Sequence, residues 1–292
     1  MSTSERTVTG PGRFVFDEPV DTVNVRLVNG EVHVVGTDGG PARVEVTEIG
    51  GPPLKVRLTG RTLTVAYDDV PWKGFLKWVA LTARQRHAVV SLAVPQRTEV
   101  EVGVVGAGAV ISGISGPTRV QGVSGDTTLV GLSGPVRANT VGGSVEAQAL
   151  SGDLAFGTVS GDLTVVEGSG SEVRADSVSG SMVLDLDPGA GADVRLTTVS
   201  GDIAIRIPEP GNAEVDASTT SGNASCDFGE LRVTGQWGAK HIAGRIGAGG
   251  ARLKASTVSG AIALLRRPPL DDADAPPPVP EDSAAPSFRK DV

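Results

Sequence analysis

Ser-Gly pairs recur through the middle of this 292-residue chain at intervals of nine residues or multiples of nine. Gly142-Gly143 occupies the one place where a pair is missing, so the spacing is unbroken over seven units. Apolar residues follow each pair at alternate positions, as at Val136 and Ala138. This period of two predicts a strand with one buried side. Each nine-residue unit is therefore interpreted as a short strand and a turn, and the serines of the pairs are Ser115, Ser124, Ser133, Ser151, Ser160 and Ser169.

The length of the unit restricts the architecture. At about 3.3 Å per residue, one strand and turn cannot enclose a core, whereas two units can face each other across about 10 Å. Coils of two or three units, stacked about 4.8 Å apart, would let each strand pair with its equivalent in the next coil. Forty glycines and few aromatic residues fit many tight turns around a thin core. The sequence predicts an all-β fold, specifically a β-solenoid.

The Ser-Gly-Asp turns are interpreted as structural. Glycine is expected to supply a positive φ, and the short Ser and Asp side chains are expected to bond nearby backbone amides. A calcium site would need six to eight oxygens from aspartates on adjacent coils. Pro117, Pro135, Ser144 and Ser171 take the aspartate position in other units, which breaks such a row, so no metal ligand is predicted. The structural turn residues are Ser124, Gly125, Asp126, Ser151, Gly152, Asp153, Ser160, Gly161, Asp162, Ser200, Gly201 and Asp202.

The repeat predicts a single domain over residues 13–266, after a flexible N-terminus at 1–12. Its divisions are degenerate repeats over 13–100, regular nine-residue repeats over 112–180, and longer coils over 181–266, where Ser-Gly pairs lie 21 residues apart. Residues 267–292 are rich in proline and aspartate. Such a composition cannot bury enough apolar surface to fold, so a disordered tail is predicted.

The repeated Val-Ser-Gly-Asp-Leu blocks, the segment Pro71–Trp78 and the stretch Thr257–Leu264 resemble an actinobacterial β-strand-repeat family called "putative adhesin" proteins, of unknown function. The resemblance covers about residues 13–266. It implies a right-handed β-helix or β-roll. It implies no catalytic residue and no cofactor.

One segment departs from the strand pattern. Apolar residues at 72, 75, 76, 79 and 83 follow a helical period, and the same stretch is basic. A short helical or loop insertion near 71–87 is predicted. It would either cover an open part of the solenoid or contact an anionic membrane surface or a partner, and both roles stay open. The candidate contact residues are Trp72, Lys73, Phe75, Lys77, Trp78, Arg84 and Arg86.

Charge and motifs exclude several function classes. A net charge of −8 gives no electrostatic footprint for nucleic acid. The three histidines are far apart, and no Gly-x-Ser-x-Gly turn or phosphate-binding loop is present, so no catalytic or cofactor-binding residue is predicted. The sequence has no signal-peptide pattern, apolar span or anchor motif and a single cysteine, Cys226, so a cytoplasmic protein is expected.

These observations favour a non-enzymatic scaffold that binds another protein. The first alternative is a peripheral membrane or envelope-stress factor acting through residues 71–87. The second is a carbohydrate-active β-helix enzyme, which would need carboxylates and cations gathered on one sheet face.

Overall fold

The structure is a computed structural model that describes residues 3–67 and 86–267. All regular structure in these residues is β-strand. The predicted insertion lies outside the described residues except for Arg86 and His87, and the predicted tail lies outside them except for Arg267. No helix among the described residues is long and apolar enough to cross a membrane.

The described residues form 24 strands. Most are four to seven residues long, whereas β3 and β8 have 16 and 14 residues. The strands are β1 Thr3–Val8, β2 Gly12–Phe16, β3 Thr22–Thr37, β4 Ala42–Gly50, β5 Leu54–Thr59, β6 Thr62–Tyr67, β7 His87–Pro95, β8 Glu99–Ser112, β9 Thr118–Gly122, β10 Thr127–Val130, β11 Val136–Asn139, β12 Val145–Gln148, β13 Leu154–Gly157, β14 Leu163–Gly168, β15 Glu172–Asp176, β16 Met182–Leu186, β17 Asp193–Thr197, β18 Ile203–Ile207, β19 Ala213–Thr219, β20 Ala224–Cys226, β21 Arg232–Gln236, β22 Ala239–Ile246, β23 Ala251–Thr257 and β24 Ile262–Arg266.

The strands wind into a β-solenoid with two faces, which confirms the predicted fold class. The first face runs β1-β5-β6-β3-β8-β9-β11-β13-β15-β17-β23-β19-β22-β21. The second face runs β2-β4-β7-β3-β8-β10-β12-β14-β16-β18-β24-β20. The long strands β3 and β8 belong to both faces.

Two nine-residue units make one coil of the regular region. Val136 of β11 therefore pairs with Thr118 one coil before and with Leu154 one coil after. Inward positions alternate with outward ones, and residues such as Leu129, Leu163 and Ile203 are buried in one continuous core. Because the core is only two short strands wide, aliphatic side chains fill it without large aromatic residues.

The Ser-Gly glycines are required for a reason that differs from the expected one. None of them has a positive φ; the positive-φ glycines lie elsewhere, for example Gly131. Instead, each Ser-Gly glycine lies against the backbone of an adjacent coil. A Cβ on Gly201 would stand 2.6 Å from the carbonyl carbon of Gly180 and closer still to its oxygen. Close stacking of the turns, not left-handed backbone, therefore excludes a side chain here.

Side chains in the turns bond from one coil to the next. The hydroxyl of Ser160 donates to Val141 O at 3.1 Å, and the backbone N–H of Ser160 donates to the same oxygen. Asp162 Oδ1 accepts the N–H of Ser181 at 2.8 Å. These contacts tie each turn to its neighbour, so the turns carry hydrogen-bond ladders as the strands do.

The C-terminal coil breaks the sequential order. Simple stacking would place β19 and β20 directly on β17 and β18. Instead β23 lies between β17 and β19, and β24 lies between β18 and β20. The hairpin β21–β22 then extends the first face beyond β19. The last coil of the chain is therefore inserted between two earlier ones.

The N-terminal strands include antiparallel pairs, which the nine-residue spacing does not predict. β1 pairs with β5, β5 with β6, β2 with β4, and β4 with β7, all antiparallel. From β8 to β18 all pairings along the solenoid are parallel. The chain therefore reverses direction among its first strands, winds in one direction from β8 to β20, and reverses again at β22.

Candidate functional site

A row of cationic side chains crosses the outer surface of the first face. Registers place Arg119 beside Arg137, Arg174 beside Arg195, and Arg195 beside Lys254. Ala155 occupies the rung between Arg137 and Arg174. Adjacent strands are about 4.8 Å apart, so this cationic row extends over roughly 24 Å.

A second row lies two residues earlier on the same strands and contains three acids, Asp153, Glu172 and Asp193, between two prolines and Arg252. Glu172 is paired in register with Asp193, and Asp193 with Arg252. Asp153 stands just before β13, where its Oδ1 accepts the N–H of Glu172 and the hydroxyl of Ser171, both at 2.9 Å. Positions two residues apart on a strand point to the same side of a sheet. The outer surface therefore carries a cationic row with three carboxylates beside part of its length, and this surface is here called the charged strip.

Some charges of the strip are paired, either with each other or with a neighbouring residue. Arg195 Nη2 donates to Asp193 Oδ2 at 2.7 Å, and Arg174 Nε donates to Asp176 Oδ2 at 2.9 Å. The hydrogen bond from Arg195 holds the pKa of Asp193 below its ordinary value, and the same bond raises the pKa of Arg195.

The guanidinium groups of Arg119 and Arg137 have no such partner. Among the residues that the structure describes, neither makes a hydrogen bond or an ion pair through its side chain, and both are exposed. Like charges directly opposite each other on neighbouring strands destabilise a sheet. Arg119 and Arg137 therefore repel each other, and Glu101, in register with Arg119 on β8, is the one acid directly opposite either of them.

Two shallow cavities open along the strip. The first, of about 350 Å³, lies over Ala155, whose small side chain leaves a depression between Arg137 and Arg174. The second, of about 470 Å³, lies between Arg174 and Lys254. Both are lined by Arg174, so together they form a groove along the cationic row.

The structure places the predicted turn residues at the two edges of the solenoid. Ser124, Ser160 and Ser200, each with its Gly and Asp, lie at the edge where the chain passes from the first face to the second. Ser151-Gly152-Asp153 lies at the opposite edge. Asp126 and Asp202 each accept a backbone N–H of the adjacent coil, at 3.0 Å and 2.7 Å.

Most of the predicted contact residues of the basic segment lie outside the described residues. These are Trp72, Lys73, Phe75, Lys77, Trp78 and Arg84. Arg86 is described and is buried, with its guanidinium 5.7 Å from the ring centre of Tyr67. Burial raises the pKa of Tyr67, and the nearby charge of Arg86 opposes that rise. Arg86 does not present its side chain to solvent in this arrangement.

No group of three or more His, Cys, Asp or Glu side chains in the described parts of the chain could hold a metal ion. Cys226 is half-buried, and its Sγ accepts the N–H of Phe228 at 3.3 Å. Burial is the main cause that raises the pKa of this thiol. A thiol with a raised pKa is a poor nucleophile at neutral pH.

The sequence analysis did not find the charged strip. The signal is present at the spacing of a whole coil. Residues 119, 137, 155, 174 and 195 are separated by 18, 18, 19 and 21 residues, and four of the five are arginine. A search at nine residues mixes the two faces, so the row disappears.

Comparisons with known proteins found similar solved structures and one matching family. The chain is similar to a "putative adhesin" from Bacteroides fragilis, with 11% identity, 90% of this chain and 97% of that one covered, and a TM-score of 0.47. It is also similar to a "putative lipid binding protein" from Parabacteroides distasonis, with 12% identity, 90% and 96% covered, and a TM-score of 0.37. For a "putative cell adhesion protein" from Clostridium sporogenes the values are 8% identity, 88% and 100% covered, and a TM-score of 0.31.

Identities and TM-scores this low carry no conclusion about this chain. No curated protein matches the chain. The family model described as Toastrack DUF4097 matches residues 20–265, which is most of the solenoid. The chain therefore belongs to the Toastrack DUF4097 family.

Proposed function

We propose that this chain is a non-enzymatic scaffold that binds another protein through the outer surface of its first face. The observation that carries the proposal is the charged strip, in which cations from successive coils lie in register beside a row of carboxylates. Complementary charge patterns across an interface give specificity and faster association.

The chemistry of the strip favours a protein over a simple polyanion. A polyanion would meet the carboxylates of Glu172 and Asp193 next to the arginines, which reduces its attraction. A protein surface can present acids over the cationic row and bases over the acidic row at the same time. Arg is also enriched at protein interfaces, where its planar group binds carboxylates through two hydrogen bonds.

Arg119 and Arg137 are the expected anchors. Both are exposed and, within the described residues, unpaired, so binding would not first have to break an internal ion pair. We expect a carboxylate of the partner to lie over each guanidinium. Truncation of such an anchor commonly costs at least about 2 kcal/mol of binding free energy, roughly 30-fold in Kd.

The groove is a poor candidate for catalysis although Glu99, Asp153 and Glu172 line it. Asp153 already accepts two hydrogen bonds that fix the next coil. No aromatic side chain lines either cavity to hold a sugar ring. The enzyme alternative is therefore less well supported than binding.

The test compares two double charge reversals. Proteins that the wild-type chain captures from the native cell are identified and purified. Calorimetry then measures the Kd of each for the wild-type chain and for Arg119→Glu/Arg137→Glu. We expect at least a 30-fold weaker Kd and a Kd that rises with salt. The control, Arg43→Glu/Arg206→Glu, changes net charge equally on the second face and should stay within twofold. A partner that binds both variants equally well would refute the proposal.

A further inference from the structure

An uncharged ridge runs along the edge where the chain passes from the first face to the second. Val141, Val159, Val178, Val199 and Val258 are each between 40% and 50% exposed, and backbone bonds place them on successive rungs. The half-buried Val123 precedes them. The residue after each valine is Ser or Gly, so each rung shows one apolar and one small side chain. This row, from Val123 to Val258, is called the valine ridge.

The polar groups of the ridge are already satisfied within the protein. Val178 O accepts both the N–H of Ser200, at 2.9 Å, and its hydroxyl, at 3.3 Å. Ser179 bonds to Val159 and Ser259 to Val199 in the same way. The serine hydroxyls donate inward along the ridge, so removing water from this surface leaves few polar groups unpaired.

A tryptophan stands at the C-terminal end of the ridge. Trp237 is fully exposed, with a relative exposure of 102%, and forms a two-residue turn with Gly238 between β21 and β22. Both residues have a positive φ, of 54° and 92°, which is strained for a bulky side chain. Lys240 pairs with Thr219, so the turn projects at the same edge as the valines. Because it is fully exposed, the indole of Trp237 contributes little to packing within the described part of the chain.

We propose that the valine ridge and Trp237 form a homodimer interface whose occupant is the same ridge of a second copy. The ridge repeats at the strand spacing, about 4.8 Å. A partner must have that same period to place an apolar side chain against every rung. A second copy of this solenoid has that period because its strands have the same spacing.

The extent of the edge suits a stable dimer. Each of six rungs exposes about four positions, including the polar residues that flank the valine, which amounts to about two dozen residues. Stable interfaces contribute about 20–30 residues from each side. Trp237 adds a large apolar group of the type that dominates binding energy.

Charge selects the relative direction of the two copies. Asp126, Asp162 and Asp202 flank the ridge on the side of the second face. Asn139, Asp176 and Thr197 flank it towards the cationic row, and Asp176 is already paired with Arg174. A two-fold axis parallel to the solenoid axis brings the aspartate side of one copy against the other side of its mate. An axis across the ridge would bring aspartates together. The two solenoids therefore run in the same direction, with equal rungs facing each other.

Mass measurement of the full chain is the first test. Light scattering coupled to gel filtration, from about 1 to about 100 µM, should show twice the 29.6 kDa chain mass. Val178→Glu should shift the chain to monomer, and Trp237→Ala should raise the dimer dissociation constant at least tenfold. The matched control is Val183→Glu, because Val183 is equally exposed, at 50%, but lies on the second face. It should remain a dimer.

Cross-linking tests the direction and does not depend on a destabilising change. In a Cys226→Ser background, Val141→Cys and Val199→Cys should each form a disulfide-linked dimer under mild oxidation. If the two copies ran in opposite directions, a disulfide would form only when the two variants are mixed. That result would refute the parallel arrangement.

Three results would overturn the dimer. One is a monomer at every concentration, and another is a dimer that Val178→Glu leaves intact. The third is a wild-type monomer that sediments with phosphatidylcholine or phosphatidylglycerol vesicles and loses that binding in Val178→Glu, because the ridge would then contact lipid. Failure of the dimer would leave the charged strip untouched, since the two surfaces share no residue that either test changes.

Discussion

Replacement of Gly201 by alanine tests whether close stacking of the turns holds the solenoid together. A Cβ at this position would lie 2.6 Å from the carbonyl carbon of Gly180 and 3.0 Å from Thr198 Oγ1. Real Cβ atoms essentially never come within 3.0 Å of such atoms. The turn at Gly201 must therefore move away from the preceding coil.

The displacement would weaken several bonds at once. Ser200 donates its N–H and its hydroxyl to Val178 O, at 2.9 Å and 3.3 Å, and the N–H of Gly201 donates to Thr198 Oγ1 at 3.2 Å. Overpacking costs about 1–3 kcal/mol. Each weakened hydrogen bond adds up to about 1 kcal/mol. We expect Gly201→Ala to lose about 3 kcal/mol of unfolding free energy.

Urea denaturation followed by circular dichroism measures the effect. With an m value of about 2 kcal/mol/M, the midpoint should fall by roughly 1.5 M. The control is Gly189→Ala, because Gly189 has open space around it and no positive φ. Its midpoint should change by less than about 0.3 M, since surface substitutions usually stay within ±0.5 kcal/mol. Equal midpoints for the two variants would show that the turns are not closely stacked.

Three further predictions concern single groups. Thr158→Val should lower stability by about 1–3 kcal/mol in the same urea assay, because the buried N–H of Gly161 loses the hydroxyl that accepts it at 2.9 Å; an unchanged midpoint would contradict this. Cys226 should react with a thiol reagent at pH 8 more slowly in the folded protein than in urea, because burial raises its pKa and lowers the thiolate fraction; equal rates would argue against burial. Arg195→Gln should raise the pKa of Asp193 towards 3.8, as read by carboxyl NMR. Since the folded pKa of Asp193 is depressed, the stabilisation from this pair is present above about pH 3.8 and is lost as the pH falls through the folded value. An Asp193 pKa that is the same in the wild-type chain and in the variant would refute the assignment.

Fold class was predictable because a strand repeat is a local pattern. Alternation at Val136 and Ala138, with Ser-Gly every nine residues, determines which side chains point inward and where the chain turns. The position of the last coil was not predictable in this way. Strand β23 resembles its neighbours closely enough that local pattern alone cannot show that it enters between β17 and β19. Pairing partners depend on the loops that bring them together.

The two candidate surfaces illustrate the same limit. From Ile114 to Val159, the residue before each Ser-Gly or Gly-Gly pair alternates between Leu or Ile and Val, as at Leu132 and Val141. Leu132 is buried, whereas Val141 is 40% exposed, because the chain turns inward at a different residue at each edge. Two aliphatic positions that the sequence presents as equivalent therefore have opposite roles, one in the core and one on the surface.

Local side-chain chemistry along the chain determined that this protein winds short strands into stacked coils with serine and glycine in the turns. The tertiary structure decided which arginines stand side by side, which valines meet solvent, and where the final coil enters. These are relations between residues one or more coils apart. They depend on the number of residues per coil and on the order of the coils, and neither quantity is encoded in any single repeat.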